Sequence, residues 1–346
     1  VDSAKYTIEK TISISFVSDA FWDRWLGIGL PKPVVYELRQ RVTGIESWTE
    51  VLQGHAAVYE QLASKLLHQQ LISEAEYFYR SAAVNYNLIQ WMYPHTGRDK
   101  QLWYERCIDM HRQADGLAED EIVEAEILVE GNKCSGRIRT PKHPRGCVII
   151  IYPIDSSKEE LIKYEIGFAR EGFITISFDG PGQGETYVLN RSLATRRGWE
   201  LFIHKLIELA AQQFPGLPLH LFGTSFGGSW AIEGSRHSSI GRVAAVSPVL
   251  ESQGRLPDYF KERLAYVIKG EESPLELKEE NIGQSGPLLL IHGQMDDWVK
   301  EEEIRSFYRR ISAEKQLIEY PDERHACSSR MDDIIQAASE WYTRGL

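Results

Sequence analysis

From about residue 120 onward, short uninterrupted apolar runs alternate with amphipathic stretches, and this pattern limits the fold more than any other feature of the chain. The runs lie at 147–152, 173–178, 217–222, 242–247, 287–292 and 316–320. A strand covered on both faces requires such a run, because neither row of its alternating side chains meets water. Helix-patterned stretches separate the runs, at about 157–171, 193–213, 226–238, 300–312 and 329–344. Ahead of them, residues 121–130 alternate apolar and polar, and 133–140 follow after Gly131-Asn132, as in a hairpin. Strand–helix alternation behind an antiparallel hairpin predicts an α/β domain with a doubly wound, mostly parallel sheet.

The first third reads differently. Between about 15 and 115, apolar residues recur at three and four, as in Val58, Leu62, Leu66 and in Tyr77, Ala82, Tyr86, Ile89. Five of the nine tryptophans (Trp22, Trp25, Trp48, Trp91, Trp103) fall here, and indoles of this number are expected to fill a core between helices. Two domains follow: an all-helical one over 1–120 that caps a second over 121–346, in keeping with 346 residues at about 150 per domain. The formal charge of −11 and the lack of a basic patch exclude phosphate-backbone binding, so no nucleic acid is expected. No apolar run approaches the roughly 18 residues of a membrane span, and residues 1–7 lack the basic and apolar regions of a secretory leader. The four cysteines (Cys107, Cys134, Cys147, Cys327) are far apart, which suits a reducing, cytoplasmic setting. A homo-oligomer, such as a dimer, is compatible with the apolar helical domain.

In a sheet of this kind, ligands gather at the carboxyl ends of the strands, so the residues just past each run carry the functional expectation. After 217–222 comes Gly223-Thr-Ser225-Phe-Gly227, a G-x-S-x-G string between a strand and a helix. Its glycines permit a tight turn that lifts the serine hydroxyl out of the sheet. Serine at its ordinary pKa is a weak nucleophile and needs a base oriented by a third group. After 287–292 the chain reads Gly293-Gln-Met-Asp296-Asp297, which places Asp296 as the acid, with Asp297 as the alternative and a helix cap as the other task for either. The loop after 316–320 delivers His325, the sole histidine downstream of both motifs. His292, at the end of a buried run, reads as a hydrogen-bonded structural histidine, and Cys327 as a packing residue. The turn Asp179-Gly-Pro-Gly-Gln-Gly184 has the glycines of a phosphate loop but lacks the Lys-Ser/Thr pair, and reads as a backbone turn with Asp179 as a structural acceptor. No cofactor and no metal are implied.

The set Gly223-x-Ser225-x-Gly227, Gly293-x-x-Asp296 and His325 resembles the α/β-hydrolase superfamily. The string Phe178–Glu185, the run Ser156-Ser-Lys-Glu-Glu160 and the helical N-terminal region resemble one branch of it. That branch contains 2,6-dihydroxypseudooxynicotine hydrolase, fungal polyketide-shortening hydrolases and fermentation-respiration switch proteins. The resemblance implies a Ser225–His325–Asp296 triad and an oxyanion hole built from the Phe226 N–H and one N–H of the loop after 147–152. That loop departs from the usual glycine-containing pattern and reads Tyr152-Pro153-Ile154-Asp155. Proline has no N–H, so the second donor by position is Ile154. Two further expectations are that the Tyr152 hydroxyl supplements the hole or touches substrate, and that Glu251 is either a surface or salt-bridged residue or one that polarises a substrate ketone.

Three functions compete. The resemblance favours a serine hydrolase that cleaves a carbon–carbon bond beside a ketone in a small aromatic or polyketide-like molecule. The same residues would serve a carboxylic ester or thioester. A catalytically weak homologue acting as a binding or regulatory protein is the third.

Overall fold

The computed structural model describes residues 3–250, 256–270, 273–275, 277 and 285–344. The chain divides into two compact units, Val1–Glu119 with Asp258–Val267, and Asp120–Pro257 with Ile268–Leu346.

The first unit is helical: α1 (Ser3–Val17), α2 (Asp19–Gly27), α3 (Lys32–Arg41), α4 (Ile45–His68), α5 (Ile72–Met92) and α6 (Arg98–Asp115). Trp22, Trp25, Trp48 and Trp91 are buried, and Trp25 packs its ring against the other three at centroid distances of 5.0, 5.2 and 6.1 Å. The core-filling expectation holds for these four. The stripe Val58, Leu62, Leu66 is not the buried one, since Val58 is 52% exposed. Helix α4 instead buries Trp48, Val51, Leu52, Ala56 and Ala63. Ala56 and Ala63 on that face leave room for a neighbouring helix to approach.

The second unit is built on one eight-stranded sheet of order β1-β2-β4-β3-β5-β6-β7-β8. Strands β1 (Glu121–Val129) and β2 (Asn132–Thr140) form the antiparallel hairpin, with Glu121 opposite Thr140, and β2 runs antiparallel to β4 (Phe173–Phe178). The rest is parallel: β3 (Gly146–Ile151), β5 (Leu219–Thr224), β6 (Ile240–Val246), β7 (Leu288–Gly293) and β8 (Lys315–Tyr320). Strands β3, β4, β5 and β7 are buried along their whole length, as their predominantly apolar sequences require, with Thr175, Ser177, His220, Thr224 and His292 buried among the apolar residues. The flanking helices are α7 (Ile162–Arg170), α8 (Gly184–Val188), α9 (Arg196–Gln213) and α10 (Phe226–Gly234). Between β6 and β7 the chain forms α11 (Asp258–Leu264), and α12 (Glu301–Arg310) and α13 (Met331–Tyr342) follow.

Helix α11 clusters with the helical unit rather than with the sheet that surrounds it in sequence. Its Arg263 donates to the carbonyls of Trp91 and Met92 and lies over the Trp91 ring at 4.1 Å. Those carbonyls lie at the C-terminal end of α5, where a cation complements the helix dipole. Among the described residues no helix is long and apolar enough to cross a membrane.

Candidate active site

Ser225 sits between β5 and α10 with φ 55° and ψ −125°, a left-handed backbone that non-glycine residues rarely adopt. The turn is possible because both flanking glycines lack a side chain. A Cβ on Gly223 would stand 2.1 Å from the Gly227 carbonyl oxygen, and one on Gly227 2.1 Å from that of Ile151. The second approach presses the end of β3 against the start of α10. The strain is held from behind by the Ser225 N–H, which donates to the Val246 carbonyl at 2.8 Å.

His325 reaches Ser225 from the loop after β8. Its Nε2 lies 2.8 Å from Ser225 Oγ, and its Nδ1 lies 2.8 Å from Asp296 Oδ2. An ionised carboxylate only accepts, so Nδ1 carries the proton and Nε2 accepts from the serine hydroxyl. The other Asp296 oxygen accepts the N–H groups of Trp298 and Val299 at 2.8 and 3.0 Å. Burial alone would raise the pKa of Asp296, but His325, through its hydrogen bond and through its charge when protonated, and those two N–H groups outweigh it and hold the carboxyl below its usual range. Asp297 is exposed, and α12 starts after Lys300 with no side-chain cap, so Asp296 alone serves both the turn and the histidine.

Two residues that the sequence reading passed over shape the histidine. Trp298 stacks on the His325 ring at 4.7 Å and 29°. Ala326 and Cys327 follow His325 with φ of 65° and 48°, and the Ser247 hydroxyl accepts the Ala326 N–H at 3.1 Å, anchoring that strained turn. Ser247 lies directly past β6, so the strand-end rule pointed at it. Nothing in the sequence marks Trp298 beyond its closeness to Asp296.

The oxyanion donors are placed as follows. Phe226 opens α10, where an N–H has no carbonyl a turn behind it. Ile154 is buried, and its N–H has no hydrogen bond among the described residues. Tyr152 does not face the site: its ring is buried and its hydroxyl is 2.6 Å from Ser177 Oγ on β4. The expectation that it supplements the hole or touches substrate is therefore corrected, because its ring is buried and its hydroxyl is taken up by Ser177. Glu251 lies outside the described residues. His292 is buried as expected but has no hydrogen-bond partner for either ring nitrogen among the described residues; its Nδ1 is 3.9 Å from Asp296 Oδ2. Burial pushes its pKa down, against the pull of Asp296. Burial likewise pushes the Cys327 thiol up, which suits packing rather than reactivity.

The loop after β3 is fastened to the turn after β4 by buried charge. Asp179 accepts from the Lys158 N–H at 2.8 Å, the Lys158 ammonium at 3.0 Å and the Glu185 N–H at 2.9 Å. Lys158 also meets Glu159 and Glu185 at 2.9 Å each. A Cβ on Gly184, whose φ is 37°, would stand 2.2 Å from the Asp179 carboxylate. The glycine turn thus wraps the protein's own carboxylate, which occupies the place an anionic ligand would take in a phosphate loop. Among the described residues no group of three or more His, Cys, Asp or Glu side chains is placed to hold a metal ion.

No protein-family model matches the chain. The 2,6-dihydropseudooxynicotine hydrolase of Paenarthrobacter nicotinovorans is 24% identical over 216 residues, a match that covers 61% of this chain and 57% of that protein, less than two thirds of its length. The crystal structure of 2,6-dihydroxy-pseudo-oxynicotine hydrolase superposes with a TM-score of 0.79 at 20% identity, covering 93% of this chain and 95% of the other. AbyA5 superposes with a TM-score of 0.69 at 15% identity, covering 90% of each chain. The Pyrococcus furiosus esterase Pf2001 gives 0.52 at 21% identity, with 65% of this chain and 91% of the esterase covered. The chain therefore has the α/β-hydrolase fold, and the relatives named here include hydrolases and an esterase.

Proposed function

We propose that this protein is a serine hydrolase with Ser225 as nucleophile, His325 as base and Asp296 as the group that orients it. The unbroken path from Ser225 Oγ through both ring nitrogens of His325 to a buried carboxylate, at 2.8 Å per step, is the observation that supports this reading. Ser225 Oγ attacks a substrate carbonyl while its proton passes to His325 Nε2. The resulting imidazolium is held by Asp296, and the tetrahedral oxyanion accepts from the Phe226 and Ile154 N–H groups. Collapse breaks the bond to the leaving group, which takes the proton from His325. Water, activated by the same histidine, then releases the acyl group from Ser225.

For the bond cleaved, the reading is a carbon–carbon bond beside a ketone in a small aromatic or polyketide-like substrate, with an enolate as leaving group. Its support is the resemblance to the 2,6-dihydroxypseudooxynicotine hydrolase branch. An ester or thioester would be cut by the same steps with an alkoxide or thiolate leaving.

Incubation with a fluorophosphonate followed by intact-mass measurement tests the nucleophile. One adduct is expected on the protein and none on Ser225→Ala, with His325→Ala labelled far more slowly. A folded protein that takes no label would overturn the reading in favour of a binding role. Turnover of a β-diketone set against turnover of a p-nitrophenyl ester then separates the two bond classes.

A further inference from the structure

The turn after β4 touches the loop after β3 at a second point, apart from the charge cluster. Gln183 is 1% exposed. Its Oε1 accepts the Gly180 N–H at 2.8 Å, and its Nε2 donates to the carbonyls of Tyr152 at 3.0 Å and Pro153 at 2.6 Å. The reversed amide would set an oxygen against two carbonyl oxygens and an NH2 against an N–H, so the network admits one orientation. The Pro153 carbonyl also accepts the Ser156 N–H at 3.0 Å, so two donors converge on it.

That carbonyl and the Ile154 N–H belong to the same peptide unit. The peptide is trans, so C=O and N–H point in opposite directions across a rigid plane. A grip on the oxygen therefore aims the hydrogen. Donation to the oxygen also polarises the amide and makes its N–H a stronger donor. Ile154 N–H is buried and has no hydrogen bond among the described residues, an uncommon state for a backbone donor and one that suits a group reserved for a transient partner. The end of β3 is meanwhile held against the start of α10 by the bare Gly227.

We propose that Gln183 is a positioning residue for oxyanion stabilisation, orienting and polarising the Pro153–Ile154 peptide toward the oxygen that becomes charged above Ser225; this rests on the serine-hydrolase reading. Proline at 153 suits the arrangement. It contributes a carbonyl to be held, a restricted φ, and no competing N–H.

Gln183→Met keeps length and volume and removes the donor. Steady-state hydrolysis of p-nitrophenyl acetate and inhibition by an aryl trifluoromethyl ketone, which forms a tetrahedral oxyanion adduct with serine, are the readouts. The expected result is a fall in kcat of about 10–10²-fold with KM within about twofold, because misaiming one donor costs less than the roughly 10²–10³-fold of deleting it. The inhibition constant of the ketone should rise by the same factor. Unchanged kcat and ketone affinity in a folded variant, or a change in KM alone, would overturn the proposal. If Gln183→Met does not fold, Gln183→Ala carries the same test, since it removes the donor without setting an oxygen or a charge against the two carbonyls. Failure of the hydrolase reading is distinguishable: the unmodified protein would then take no fluorophosphonate and bind no ketone, and both readings would fall.

Discussion

The two oxygens of Asp296 are fully assigned, one to the N–H groups of Trp298 and Val299 and the other to His325. In Asp296→Asn the two backbone donors retain the oxygen, which leaves an NH2 facing Nδ1 and forces the wrong tautomer of the imidazole. We expect kcat on a p-nitrophenyl ester to fall by about 10³-fold or more, with the melting temperature little changed, whereas exposed Asp297→Asn stays within about twofold. Loss of activity in Asp297→Asn but not in Asp296→Asn would reverse the assignment. Ser225, Asp296 and His325 were legible in the sequence because each stands a fixed few residues past a strand end, and the parallel sheet sends all strand ends to one edge. Tyr152 was misread because a position next to a strand end does not say which face its ring takes. Gln183 was missed since its role depends on carbonyls about thirty residues away, which no local pattern encodes.

Among the elements, the segment 157–161 shows how a local pattern can mislead. Its composition reads as the first turn of a helix beginning near 157, yet α7 starts at Ile162. The preceding residues turn inward to a buried charge network that also takes Arg137 and Arg139 of β2, both bonded to Glu165 of α7. Lys158 is nearly inaccessible and stays protonated: burial opposes its charge, and Asp179, Glu159 and Glu185 more than compensate. Asp179 titrates above its ordinary value because of burial and then Glu159, with Lys158 pulling it back. Lys158→Met should cost about 3–5 kcal/mol, the range for an abandoned buried charge. A carboxyl whose folded pKa lies above its unfolded one favours the fold at low pH and disfavours it as pH rises through the folded value. The deficit of Lys158→Met, read by urea denaturation, should therefore be larger at pH 8 than at pH 5. A deficit that does not vary with pH would exclude Asp179 as the group left exposed to repulsion.

At the scale of the whole molecule, acid stability depends on histidines folded in the neutral form. His220 on β5 is buried, stacked on Tyr342 at 4.6 Å and 16°, and its pKa falls from 6.5 to about 4, chiefly through burial and then through the Arg242 charge. A depressed histidine favours the fold above its unfolded pKa and withdraws that support as pH drops toward the folded value, here from 6.5 to about 4. In His220→Phe the stack survives and the titration is gone. Its melting temperature should gain on that of the unmodified protein steadily between pH 6.5 and pH 4, and a constant offset would refute the assignment. The order of strands over the sheet unit was legible, since the buried strands are predominantly apolar, whereas the short α8 was not, lying within a glycine turn. The allegiance of α11 was not, because Arg263 finds its carbonyls more than 170 residues back along the chain. That allegiance has a consequence for biosynthesis. The carbonyls at the end of α5 leave the ribosome long before the arginine that caps them, and at about 5–20 residues per second the wait is on the order of ten seconds. During that interval the helical unit lacks α11, and strands β1 to β6 are synthesised before the segment that completes the unit ahead of them in the chain.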